Sequence, residues 1–111
     1  MRKVIYFLSL SILTACGGEK SETPKDQWYA GGTLHKSTLQ IWNSSTKENK
    51  LATCADFVAN TKDYKGDLDL MKSDATDLMN CIEESAKETN LKNLKINEVG
   101  ASCAILLGIA N

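Results

Sequence analysis

Four cysteines, one histidine and fourteen acidic residues are the groups in this 111-residue chain whose types could do chemistry. A cysteine becomes a nucleophile when an imidazole takes its proton. The one histidine, His35, stands beside Lys36 in a stretch that reads as a short first helix, where an exposed polar role is expected of it. Zinc sites want close cysteine pairs such as C-x-x-C, and Cys54, Cys81 and Cys103 are widely spaced, so no metal site is expected. Asp67, Asp69, Asp74 and Asp77 are acidic as a calcium loop is, but the turn glycine and the glutamate at position twelve are missing. They read instead as the solvated start of a helix. There is no G-x-S-x-G and no phosphate-cradling glycine loop. Glu83, Glu84 and Glu88 read as an exposed, solubilising face. No catalytic residue and no cofactor is expected, and the chain is expected not to be an enzyme.

The fourth cysteine has a different setting. Arg2 and Lys3 precede an apolar run from Val4 to Leu13, and Leu13-Thr14-Ala15-Cys16 follows. A run of about 10 residues is short of the roughly 20 a spanning helix needs. Positive start, apolar centre and small residues before a cut form a secretory signal. With cysteine at the cut, the segment resembles a bacterial lipoprotein signal peptide. That resemblance implies removal of residues 1–15 and lipidation of Cys16, whose acyl chains (diacylglyceryl and an N-linked fatty acid) would anchor the protein to a membrane. Gly17, rather than Asp, at the next position implies the outer membrane of a diderm host, facing the periplasm.

Loss of Arg2 and Lys3 leaves 11 of the 13 basic residues against 14 acidic ones, a mature net charge of −3. All 11 are lysine. Arginine is the preferred bidentate reader of guanine and phosphate, so no nucleic-acid partner is expected. Residues 16–27 hold the single proline and no large apolar side chain, and read as a lipidated cysteine with a flexible tether. Residues 28–111 are left for one small domain, a size at which a core is marginal without staples.

That domain reads as all-α, a small three- to four-helix bundle. Thr33 can cap a short helix carrying Leu34, Leu39 and Trp42. Ser45-Thr46-Lys47-Glu48 fits the capping box S/T-x-x-E, and Leu51, Cys54, Ala55 and Val58 follow at helical spacing to about Thr61. A third helix is predicted over 67–88, with Leu68, Met71, Ala75, Leu78, Cys81 and Ile82 as its buried stripe. The last is predicted over 96–107, burying Ile96, Val99, Cys103, Leu106 and Leu107 and stopping at Gly108.

Export favours disulfides, and Cys54, Cys81 and Cys103 all fall on predicted apolar faces. In an antiparallel hairpin, residues equidistant from the turn meet. Cys81 and Cys103 straddle residue 92, and the turn between the last two helices centres near Asn93. The pair Cys81–Cys103 is therefore expected, closing a loop of about 22 residues worth about 3 kcal/mol, with Cys54 left as a buried small apolar side chain. Cys54–Cys81 misses its turn by about a helical turn, and Cys54–Cys103 cannot be ranked in this way. Trp28, Tyr29 and Trp42 could form a partner patch or pack over the end of the bundle.

Thr53-Cys54-Ala55-Asp56-Phe57, with Cys103 following, resembles the HdeA/HdeB-type periplasmic acid-stress chaperones, which are small, helical, exported proteins. The resemblance covers about 50 residues of the chain and implies a Cys54–Cys103 disulfide and a chaperone function. Cys81 and the lipid anchor depart from that pattern. The residues themselves point to a lipid-anchored, non-enzymatic protein-interaction module at the envelope, serving stress, exclusion or inhibition, with an envelope protein as partner. The acid-stress chaperone is the alternative.

Overall fold

The computed structural model describes residues 27–110. The segment read as a signal peptide, Cys16 and the residues before Gln27 read as a tether lie outside them. The described chain is all-α: α1 (Leu39–Asn43), α2 (Lys47–Thr61), α3 (Leu68–Ala86), a single 3-10 turn (Thr89–Leu91) and α4 (Ile96–Leu106). It is a small four-helix bundle stapled by one disulfide. α3 is the central element and packs against the other three helices.

Helix starts are set by side chains that occupy otherwise orphaned backbone donors. Thr46 Oγ1 accepts from Asn49 N at 3.1 Å and opens α2; Asp67 Oδ1 accepts from Leu70 N at 3.0 Å and opens α3. The α2 cap is thus one residue later than the predicted capping box. Ser45 Oγ donates to the Ile41 carbonyl and closes α1 instead, and Glu48 is exposed. α4 ends in a Schellman motif. Gly108 has φ 75°, its N–H donates to Ile105 O, and Ile109 N donates to Ala104 O.

The predicted first helix is shortened. Residues 33–35 are stitched to α2 by side chains before any helical bond can form. Thr33 N donates to Asn49 Oδ1, Asn49 Nδ2 donates to Thr33 Oγ1, and Leu34 N donates to the buried Thr53 hydroxyl. Thr38 then makes a single antiparallel bridge to Lys95. Leu39 N donates to Leu94 O, and Ile96 N donates to Ser37 O. The first donors of α1 and α4 are thereby satisfied by each other's flanking loops, and both helices must start where that bridge ends.

The core holds Trp42, Leu39, Leu78, Ile82, Ile96, Val58, Thr53 and Cys54 at full burial. Two predicted stripes need correction at their ends. On α3 the stripe is Ala75, Leu78, Met79, Ile82 and Ala86; Met71 and Cys81 are half-buried and Leu68 is exposed. On α4 it is Ile96, Val99, Gly100, Cys103 and Ala104, while Leu106 and Leu107 are exposed. The Gly108 turn is the cause at that end. It sends Ile109 back into the core, filling the place Leu107 would have taken.

Gly32 shows how tightly the entering segment crosses α2. A Cβ built there would lie 2.5 Å from Thr53 N and 2.7 Å from the Ala52 carbonyl carbon, both backbone atoms that cannot swing aside. Gly32→Ala should therefore cost stability by about 1–3 kcal/mol, the usual range for overpacking. A urea titration followed by circular dichroism checks this; an unchanged midpoint would show that the crossing relaxes freely.

Candidate functional site: the groove between α2 and α3

α2 and α3 pack with a groove of about 710 Å³ between their exposed flanks. Leu51 and Met79 make its apolar floor, and Lys47, Lys72, Thr76 and Glu83 are on its walls. Lys72 also carries the groove toward the start of the domain, since its Nζ sits 5.6 Å from the centre of the Trp28 ring. Trp28 is half-buried and stands edge-on to the half-buried Tyr29, ring centres 5.5 Å apart. The groove thus combines an apolar floor, a charged rim and an adjacent aromatic.

Two of the three aromatics considered for a partner patch, Trp28 and Tyr29, pack against the core and are half-exposed. Trp42 is wholly buried, and its indole belongs to the core. What reaches the groove is its polar edge, through Glu83. Trp42 Nε1 donates to Glu83 Oε1 at 2.6 Å, and Lys50 Nζ donates to the same oxygen at 2.7 Å. Lys50 Nζ also lies 5.5 Å from the centre of the Trp42 ring, a cation–π distance. Glu83, expected to be a free solubilising residue, is the hub that ties α1, α2 and α3 together. The missed signal was positional: in α3, Glu83 follows the core residue Ile82 and leans toward α2, where two donors wait.

Burial alone would raise the Glu83 pKa. Hydrogen bonds from Lys50 and Trp42, with the charges of Lys50 and Lys87, outweigh it and hold the carboxyl below its usual 4.5. A group whose folded pKa is depressed stabilises fully above its unfolded value and loses that contribution as pH falls through the folded value. Stability should therefore fall with acid below about pH 4.5, and Glu83→Gln should flatten that part of the fall. Urea midpoints measured at steps from pH 6 to pH 3 check this; equal slopes for the two proteins would remove Glu83 from the acid response.

The other groups singled out for chemistry are placed as follows. His35 is in a turn rather than on a helix, and it is not a free exposed side chain. Its Nε2 lies 2.7 Å from Asp56 Oδ2 and its ring stands edge-on to Phe57 at 5.4 Å. Its partner is therefore a carboxylate, not a cysteine. Cys54 is free and fully buried. Burial, with the negative charge of Glu83, pushes its thiol up to about 12, which leaves it protonated and inert at neutral pH. Asp74 accepts from Tyr64 Oη at 2.8 Å and from Lys62 Nζ at 3.1 Å, which pins the α2–α3 connection. Asp67 is a helix cap, and Asp69 and Asp77 are exposed. Among the described residues no group of three or more metal-ligating side chains converges, and no helix is long and apolar enough to cross a membrane.

Cys81 and Cys103 are bonded, with Cα atoms 5.9 Å apart. The Cys54–Cys103 pairing implied by the chaperone resemblance is absent: Cys103 is bonded to Cys81, and Cys54 on α2 is free. Comparison of the chain with protein-family models, with curated proteins and with solved structures gave no match.

Proposed function

We propose that the protein is a lipid-anchored interaction module, held to the outer membrane by acyl chains on Cys16, which binds an envelope protein through the α2–α3 groove. The observation that carries this reading is the groove itself, an apolar floor of Leu51 and Met79 inside a lysine and glutamate rim, with Trp28 alongside. Lys47, Lys50 and Lys72 outnumber Glu48 and Glu83 along the groove, which suits a partner with acidic side chains around an apolar anchor. The rigid disulfide-stapled bundle presents that surface without an ordering cost on binding.

The test is photo-crosslinking in the native envelope. A photoreactive residue at Lys47 or Asn80, both exposed and lining the groove, should give one discrete protein adduct, and one at Asn93, on the far loop, should not. Equal labelling at all three positions, or catalytic turnover by the purified domain without any adduct, would sink the proposal.

One observation favours the acid-stress chaperone as a second reading. Trp42 and Lys50 are held by a carboxylate that acid would discharge. That reading requires the bundle to open in strong acid and then suppress aggregation of other proteins. Far-ultraviolet circular dichroism unchanged at about pH 2, below every ordinary carboxyl pKa, would dispose of it.

A further inference from the structure

We propose that the exposed face of α4 pairs with the same face of a second copy, about a two-fold axis at Ser102. The pairing rests on the lipid anchor proposed above for the concentration it supplies. It leaves the α2–α3 groove of each copy free, so the pair presents two grooves.

The close of α4 carries a projection and a hollow side by side. Leu106 is 81% exposed and Ile105 62%. Next to them is a hollow of about 270 Å³, walled by Leu91, Leu94, Val99 and Leu106, with Cys81 and Cys103 in its lining. Leu91 comes from the 3-10 turn, Leu94 from the connection that follows it, and Val99 from α4. The disulfide that pins the α3–α4 hairpin therefore also holds these walls together.

A two-fold pair needs a patch that fits itself, residue i meeting j while j meets i. Glu98, Ala101, Ser102 and Ile105 form an exposed row at helical steps along α4. When α4 lies antiparallel on its copy with Ser102 on the axis, Leu106 comes level with Glu98 and Val99 of the copy. That is where the copy's hollow is, and the copy's Leu106 makes the same contact in return. Ala101 and Ser102 are small and exposed, so the two helices can approach closely at the axis.

The charge pattern suits an identical occupant. From Val99 to Ala110 no residue is charged, and Glu98 is the one charged residue lining the hollow. In the antiparallel pair the two Glu98 are separated by eight residues of rise, about 12 Å. That exceeds the Debye length of about 8 Å at physiological salt, so their repulsion is screened. On the connection, Lys92 and Lys95 balance Glu88 and Glu98. A strongly charged partner finds nothing to grip here, in contrast to the lysine-rimmed groove, whereas a copy of this face meets no net charge.

The groove stays open in the pair. Lys72, Thr76, Met79 and Glu83 recur along one side of α3, and Cys81 and Ser85 lie about half a turn round from them. A two-fold axis along the membrane normal brings both Cys16 anchors to the same membrane. The face has fewer side chains than the roughly 20–30 a side of a stable interface, so the pair is weak for molecules free in solution. The anchor makes up the difference. Eleven residues, Cys16 to Asp26, precede the described fold and span roughly 18 Å as a coil. Copies are thereby confined to a thin layer, which raises their effective concentration.

The test uses the lipidated full-length protein in vesicles of phosphatidylethanolamine and phosphatidylglycerol. Half of the molecules carry p-benzoylphenylalanine at Ile105, and the other half are isotope-labelled and lack the probe. Irradiation should join position 105 to the Leu94–Val99 stretch of a labelled copy. The same probe at Asn60, exposed near the end of α2, should give no such adduct. Ser102→Arg sets two like charges on the axis and should cut the adduct about tenfold or more. Its thermal melt should stay with that of the unsubstituted protein, because Ser102 is exposed. An adduct with lipid or another protein only, or one that Ser102→Arg leaves unchanged, overturns the proposal. Intact mass separates the two layers of inference. Acylated Cys16 without the adduct overturns the pair alone, unacylated Cys16 with it overturns the anchor alone, and unacylated Cys16 without it overturns both.

Discussion

Trp42→Ala should destabilise the domain by about 3–5 kcal/mol, the range for removing a buried tryptophan, and leave a substantial unfolded fraction at 37 °C. Small domains have only about 5–15 kcal/mol in total. Trp42 is the largest fully buried side chain, and it comes from the shortest helix. α1 has five residues, far too few to be stable alone. Its place is fixed by the Trp42 ring in the core, by the bond from Nε1 to Glu83 and by the backbone donors Leu39 N and Gln40 N, which reach Leu94 O and Lys92 O. Removing the ring leaves a cavity and also leaves Glu83 and Lys50 with one partner fewer. Trp42→Phe separates the two effects: it keeps most of the packing and loses the indole N–H, and should cost about 1–3 kcal/mol for an acceptor deprived of its donor. Urea unfolding followed by circular dichroism measures both. A loss below about 1 kcal/mol for the alanine variant would mean that α1 is an appendage rather than part of the core.

The same residue marks the limit of what the sequence revealed. Helix periods, the Asp-rich start of α3, the Gly108 stop and the hairpin register that pairs Cys81 with Cys103 depend on local spacing, and all are present in the structure. What escaped depends on contacts between distant segments. Nothing near Thr33 announces that Asn49 and Thr53 will take its segment's donors and keep it out of a helix. Nothing near Trp42 announces Glu83, 41 residues on, which turns an apparent surface aromatic into a core residue with a satisfied N–H. The groove was illegible for the same reason. Lys47, Leu51, Lys72 and Met79 lie on two helices and mean nothing separately. His35 paired with Asp56 belongs to this class as well.

Cys81→Ser with Cys103→Ser should cost about 3 kcal/mol, the chain-entropy value for a loop of this size, while Cys54→Ala should cost much less. The bond joins residues 22 apart across the α3–α4 hairpin. It therefore restricts the unfolded chain over the 3-10 turn and the bridge segment that also positions α1. Loss of the bond should loosen both ends of that bridge, so hydrogen exchange at Leu39 N and Ile96 N should quicken before exchange in the middle of α2 does. Cys54 makes no bond and is replaced by a slightly smaller apolar group in a closed site. Its buried, protonated thiol should resist alkylation in the native protein and react fully in denaturant. Peptide mapping without reduction should then yield one linked pair, Cys81 with Cys103, and one alkylated Cys54. A linked Cys54–Cys103 peptide would reverse the result: it would restore the pairing that the chaperone resemblance implies and require α2 and α4 to meet through their sulfurs. If instead the double serine variant melts with the wild-type protein, the staple is dispensable, and the bundle's stability must come from the Trp42 core alone.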